Sequence, residues 1–125
     1  MPTDNNDLFS IKSIAHENGI ILAVLSINPS SEILKGHFPG HPVIPGACML
    51  QTLKEVLEET LKTAIILKKA DSLKFMRMID PVNTETVLLD IIYNSIDDTT
   101  FNVTAKLSTD EMMCFKFQGA FLLLK

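Results

Sequence analysis

The C-terminal part of the chain alternates apolar and polar residues with a period of two. Residues 101–107 alternate without a break, and Met112–Leu124 continue the pattern after the polar turn at residues 108–110, with phenylalanines on one parity. This period is typical of a strand that buries one face. The two segments therefore predict an antiparallel hairpin.

Further strands are predicted upstream. Residues 86–93 are rich in Val, Leu, Ile and Tyr, and residues 8–14 and Ile20–Ile27 are joined around Asn18-Gly19, a pair that supports a tight turn. We expect these last two segments to pair with each other. A final strand is predicted around residues 72–78.

One long helix is predicted to begin just after Pro45-Gly46 and to end at about Lys62. Leucine and valine recur within it at helical spacing. Residues 47–50 are apolar on every side, which predicts that the start of the helix is buried all round. Its later turns carry lysines and glutamates, which predicts a face open to solvent.

These elements predict one domain over residues 1–125 of the α+β class, in which five or six mostly antiparallel strands wrap around a single helix. The length, 125 residues, suits one core, and 46% apolar with 21% charged residues indicates a packed chain. No apolar run approaches the roughly 18 residues that span a bilayer. Asp4 and Asp7 lie in a segment without a basic cluster and apolar run, so we expect no secretory signal and a cytoplasmic location.

Charge and cysteine content narrow the function. A formal net charge of −4 makes nucleic acid an unfavourable partner. Cys48 and Cys114 are too few and too far apart for a disulfide framework or paired zinc ligands, and we expect both to be buried thiols.

The loop at residues 36–46 holds three of the six prolines and three of the five glycines. Prolines stiffen a loop, and glycines allow close backbone approach, so the segment is suited to holding a fixed shape. It carries His37, a base or acid near neutral pH, and leads into the helix start, whose N–H groups and dipole suit a developing oxyanion. This combination predicts a catalytic site.

The residues His37-Phe38-Pro39-Gly40-X-Pro42-Val43-Ile44-Pro45-Gly46 resemble the signature of the 3-hydroxyacyl-acyl-carrier-protein dehydratases, the FabA/FabZ group of hotdog-fold proteins. Phe75-X-Arg77 followed by Pro81 resembles the strand after the helix in that family. The resemblance implies a hotdog fold in which two subunits share a continuous sheet and two sites lie at their interface. A homodimer or a higher oligomer is therefore expected, or a heterodimer with a related hotdog subunit.

The resemblance also implies roles for individual residues. His37 would remove a proton from C2 of a 3-hydroxyacyl thioester, the Gly46 N–H would bind the thioester carbonyl, and the Val43 carbonyl would fix the tautomer of His37. The family's acid, a Glu or Asp, falls on Gln51 in this chain. Further substrate-binding positions would be Phe38, Pro39, Val43, Pro45 and Ala47.

Gln51 leaves several functions open, because an amide can orient a hydroxyl or a water but cannot supply an ionisable proton. The protein is expected to be a dehydratase that forms a trans-2-enoyl thioester in fatty-acid or related lipid or polyene biosynthesis. The alternatives are a thioesterase, in which Gln51 or Glu55 orients a water, and a non-catalytic acyl-thioester-binding subunit of an active homologue. Five methionines suit either core packing or an acyl channel, namely Met49, Met76, Met78, Met112 and Met113.

A basic cluster stands out in an otherwise acidic chain. It could be a solvated charged face, or it could be a docking site for acyl carrier protein, an acidic partner. No metal or other cofactor is expected beyond the phosphopantetheine arm of that carrier. The cluster consists of Lys68, Lys69, Lys74 and Arg77.

Overall fold

A computed structural model describes residues 8–31, 46–82, 84–109 and 112–124. Over these residues the chain forms six strands and one helix. In chain order they are β1 (Phe9–Glu17), β2 (Ile20–Ile27), α1 (Gly46–Leu61), β3 (Ala64–Phe75), β4 (Thr86–Ser95), β5 (Thr100–Thr109) and β6 (Met112–Leu124).

The six strands form one antiparallel sheet in the order β1-β2-β4-β5-β6-β3. The predicted β5–β6 hairpin and the predicted β1–β2 pair are both confirmed. Asn18 and Gly19 both have positive φ, at 50° and 80°, as a two-residue hairpin turn that follows the twist of the strands requires. Strand β3 lies at the end of the sheet, beside β6, and within the described part of the chain its second edge is unpaired.

The core lies between α1 and one face of the sheet. Alternate residues of β2, β4, β5 and β6 are buried, including the three large rings of Phe115, Phe117 and Phe121. From the helix, Leu53 and Leu57 are fully buried. Each such side chain contributes about 1.5–3 kcal/mol relative to exposure. The apolar residues of the strands and of the helix therefore pack together in a single layer.

The predicted position of β3 was wrong. It occupies Ala64–Phe75 rather than residues 72–78, and it begins directly after the helix. Two bulges, between Leu67 and Lys69 and between Ala70 and Ser72, interrupt its register with β6, and most of its side chains are exposed. An exposed, bulged edge strand has no period-two pattern of apolar residues, so the sequence signal was missing.

The expectation that the helix start is buried all round was also wrong in the single subunit. Cys48 and Met49 are buried, but Ala47 is exposed and Leu50 is half-buried. The helix packs on one face of the sheet, so residues at the helical positions that point away from the sheet stay uncovered along its whole length. Cys48 and Cys114 are both buried thiols, as expected.

Two polar contacts fix the ends of the sheet. The Nε2 atom of His16 lies 2.6 Å from the hydroxyl of Tyr93, which joins β1 to β4 across β2.

In the β4–β5 turn, Asp97 Oδ1 accepts hydrogen bonds from the backbone N–H groups of Thr99 and Thr100, each at 2.9 Å. These bonds hold the pKa of the Asp97 carboxyl below its ordinary value, because they stabilise the charged form.

At 16 residues, α1 is too short to cross a bilayer, and it is the one helix of the described ranges.

Candidate functional site

The first residue of α1 is in close contact with the end of β3. A β-carbon built on Gly46 would stand 2.8 Å from both Cε1 and Cζ of the Phe75 ring. That ring is itself stacked on Phe115, with centroids 5.2 Å apart. The absence of a side chain at position 46 therefore lets an aromatic ring pack directly on the opening turn of the helix.

A cleft of about 440 Å³ opens at this contact. Met49 forms part of its buried wall, and Met78 lies at its rim with 79% of its surface exposed. The backbone N–H of Met76 donates to the Cys114 carbonyl at 2.8 Å, which ties the segment after β3 to β6. The lining residues are Gly46, Met49, Phe75, Met76, Arg77 and Met78.

The cleft is mostly apolar, with the guanidinium of Arg77 as its permanent charge. A site of this kind is suited to an acyl group whose carbonyl end meets the helix N-terminus. Phe75, Met76 and Met78 were not among the site residues that the sequence predicted. Two features of the sequence could have indicated these residues: the resemblance of Phe75-X-Arg77 to the family's strand, and the methionines.

Gln51 lies a little more than one turn into α1 and is half-buried. Its Nε2 donates to the Oε2 atom of Glu55 at 3.2 Å. Glu55 in turn lines a second cavity of about 290 Å³ between the helix and β1, with Phe9 and Ile11 among the other lining residues. The position that would hold the family's acid therefore carries an amide whose NH₂ group is engaged by a carboxylate one turn further along.

The other predicted site residues divide into two groups. Gly46 and Ala47 form the start of α1, and Gln51 follows on the same helix. The remaining predicted residues belong to the preceding segment and lie outside the described residues. They are His37, Phe38, Pro39, Val43 and Pro45.

The four basic residues of the predicted docking cluster have different surroundings. Lys69 forms an exposed ion pair with Asp71 at 3.5 Å. Lys68 lies at the first bulge of β3, Lys74 is in register with Lys116 of β6, and Arg77 lines the cleft. No cluster of three His, Cys, Asp or Glu side chains that could hold a metal ion occurs within residues 8–31, 46–82, 84–109 and 112–124.

Solved structures with the same architecture define the class of fold. A structure of the dehydratase heterocomplex ApeI:P from Xenorhabdus doucetiae matches with a TM-score of 0.77 and 17% identity, covering 90% of this chain and 96% of that one. A HP0420 homologue from Helicobacter felis matches with a TM-score of 0.70 and 10% identity, covering 98% and 80%. The described residues form a six-stranded antiparallel sheet and one helix, and the protein has a hotdog fold.

The sequence gives the family. The model of the ApeI-like family, described as ApeI dehydratase, matches residues 13–117. The chain belongs to the ApeI-like dehydratase family.

Two curated relatives are the FabZ 3-hydroxyacyl-acyl-carrier-protein dehydratases of Oenococcus oeni and of Wolbachia pipientis. The first is 31% identical over 85 residues, which cover 61% of each chain. The second is 27% identical over 71 residues, which cover 51% of this chain and 50% of the relative. The chain thus matches about half to three-fifths of the length of these enzymes. The family and the fold expected from the sequence are both confirmed.

Proposed function

We propose that the protein binds 3-hydroxyacyl thioesters of acyl carrier protein and eliminates water from them to give trans-2-enoyl thioesters. The observation that carries this proposal is the apolar cleft at the Gly46 end of α1. In the sequence, this helix follows directly on the segment that bears His37. Membership of the ApeI-like dehydratase family supports the same reaction. The pathway would be fatty-acid or related lipid or polyene biosynthesis.

In this proposal the Gly46 N–H holds the thioester carbonyl. A hydrogen-bond donor at the start of a helix is favoured by the helix dipole, and it stabilises negative charge best where an apolar wall keeps water away. The buried side chain of Met49 and the half-exposed ring of Phe75 form an apolar wall next to Gly46. The acyl chain would lie along this wall, and Arg77 would contact the polar end of the substrate.

The elimination itself needs one base and one acid. The imidazole of His37 takes the proton from C2, the C2–C3 double bond forms, and the C3–O bond breaks. The imidazolium then returns the proton to the departing hydroxyl, which leaves as water. His37 acts in both roles because Gln51 has no ionisable proton, and the Val43 carbonyl holds the tautomer of its ring.

Gln51 serves in this scheme as an orienting group. Its NH₂ is engaged by Glu55, so its carbonyl oxygen remains to accept a hydrogen bond from the 3-hydroxyl. Glu55 lies about 6 Å further along the helix axis, which is too far for it to replace a carboxylic acid at position 51 without movement of the substrate.

The experiment is to follow formation of the enoyl thioester by absorbance, with the native protein and with His37→Ala. His41→Ala is the matched control, because it removes an imidazole from the same loop at a position that the resemblance does not assign. Enoyl product from the native protein and from His41→Ala, and none from His37→Ala, is the expected result. Release of free thiol without enoyl product would identify a thioesterase instead.

A second candidate is an acyl-thioester-binding subunit that pairs with an active hotdog partner. One edge of β3 pairs with no strand of the described ranges, and this favours the second candidate, since the exposed residues Ile66, Leu73 and Phe75 lie on that strand. The amide at position 51 favours it too, because the partner would then supply the acid. Native protein that is inactive alone and that forms a defined heterodimer, with activity restored on mixing, is the result that distinguishes this candidate. An active homodimer excludes it.

A further inference from the structure

The face of the sheet turned away from α1, here called the outer face, carries a straight row of charged residues. Lys116 of β6 lies between two buried phenylalanines, so its side chain is on the outer face. It is directly opposite Lys74 of β3 and directly opposite Lys106 of β5. Residues in direct register on neighbouring strands place their side chains on the same face, so these three exposed lysines form one row.

The same register continues across the rest of the sheet. Lys106 is opposite Asp90 of β4, Asp90 is opposite Leu22 of β2, and Leu22 is opposite Ala15 of β1. The row thus reads basic, basic, basic, acidic, apolar, small, and it crosses all six strands. Leu22 is 47% exposed, and the exposed side chains of Ile20, Leu88 and Ile92 surround this apolar end.

Such a row is unfavourable in the isolated subunit, because like charges directly opposite each other on adjacent strands destabilise a sheet. Within the described ranges, none of the three lysines forms an ion pair. The chain as a whole carries a net charge of −4, so the row is a local concentration of positive charge on a protein that is negatively charged overall. An anionic partner would remove the repulsion.

We propose that this row docks an amphipathic acidic helix of a protein partner, lying across the strands. Strands are spaced by about 4.8 Å, and successive residues on one face of a helix, three or four positions apart, rise by about 4.5–6 Å. The partner helix would therefore carry acidic residues at i, i+4 and i+7, a basic residue at i+11 opposite Asp90, and an apolar residue at i+14 opposite Leu22.

The geometry favours a helix over an anionic membrane surface. A membrane would meet the carboxylate of Asp90 within the same row, and the net negative charge of the chain would oppose its approach. A row in which basic, acidic and apolar side chains follow one another is better matched by a helix, which presents its own side chains in a line.

The test uses two synthetic helical peptides of identical composition, one with the charge order given above and one with the same residues permuted, and fluorescence anisotropy with the native protein. The ordered peptide is expected to bind at least about tenfold more tightly than the permuted one, with affinity falling as salt is raised. Equal binding of the two peptides would overturn the proposal. So would tighter binding to phosphatidylserine-containing vesicles than to the ordered peptide.

Charge reversal identifies the residues. Lys106→Glu and Lys116→Glu should each weaken binding of the ordered peptide by about tenfold or more, and a peptide with lysine at i+4 should recover binding to Lys116→Glu. Lys62→Glu makes the same change in net charge at an exposed position on the helix side of the sheet and should leave binding within about twofold. A loss with Lys62→Glu as large as that with Lys116→Glu would show an effect of net charge alone and would refute the docking row. Circular dichroism confirms that each variant is folded.

Discussion

The ring of Phe75 occupies the space that a side chain at position 46 would need, with Cε1 and Cζ only 2.8 Å from a β-carbon built on Gly46. The opening turn of α1 and the end of β3 are therefore coupled by direct contact. The shape of the cleft depends on that contact, because both residues line it.

Gly46→Ala should displace the Phe75 ring and shift the amide that is proposed to hold the thioester carbonyl. A misplacement on the order of 1 Å costs about a hundredfold in rate, while the cost in stability should be at most about 1 kcal/mol, because the half-exposed end of the Phe75 ring can move aside. Turnover of the thioester and urea unfolding measure the two effects. The double variant Gly46→Ala, Phe75→Leu removes the clash and should recover part of both losses, whereas simple additivity would mean that the contact does not matter.

Gln51→Glu should raise the dehydration rate of a slow native enzyme by about a hundred- to ten-thousand-fold, because it restores a general acid. The new carboxyl at position 51 would lie beside Glu55. Repulsion from a neighbouring carboxylate raises the pKa of the new group, which keeps it protonated to higher pH. The gain should accordingly be greatest at low pH and fall as the acid ionises. Gln51→Met is the control of similar length without an acid, and a gain equal to that of Gln51→Glu would contradict the explanation.

Gly119→Ala should separate β3 from β6 at the bulge. A β-carbon at position 119 would overlap the backbone carbonyl oxygen of Lys69, and a backbone atom cannot move aside as the end of a side chain can. We expect a loss of about 2–4 kcal/mol in the free energy of unfolding. The neighbouring exposed substitution Gln118→Ala should stay within about 0.5 kcal/mol. A Gly119→Ala variant as stable as the native protein would show that this approach is looser than described.

Asp97 should make the stability of the β4–β5 turn depend on pH. Its pKa is lowered in the folded protein by the N–H groups of Thr99 and Thr100, so its contribution is fully present above the pKa of the unfolded chain and is lost as pH falls through the lower folded value. The stability difference between the native protein and Asp97→Ala should therefore shrink in strong acid and stay constant near neutrality.

Chemical denaturation at a series of pH values measures this difference. Asp98→Ala, at the adjacent exposed position, serves as the control. A difference for Asp97→Ala that grows as pH falls would have the wrong sign for this mechanism.

The strands β5 and β6 and the helix could be predicted because each buries one face, and burial leaves a periodic trace in the sequence. Strand β3 left no such trace: only Ile65 is well buried along its twelve residues. Its length and bulges are set by pairing with β6, which is a tertiary effect that local patterns do not record.

The site was predictable in part for a similar reason. Gly46 was found from the loop and the helix start, whereas Phe75 reaches it only because β3 crosses to the far edge of the sheet. The hydrogen bond from Gln51 to Glu55 follows from four-residue helical spacing and could have been expected. The lysine row could not, because Lys74, Lys106 and Lys116 come together only through strand register.

The contact between His16 and Tyr93 gives the protein a built-in optical probe. The sequence contains one tyrosine and no tryptophan, so the near-ultraviolet emission of the whole chain arises from a single phenol whose hydroxyl is bonded to an imidazole on β1. Detachment of the first strand would change the environment of that fluorophore directly. Fraying at one end of the sheet can thus be observed without any label.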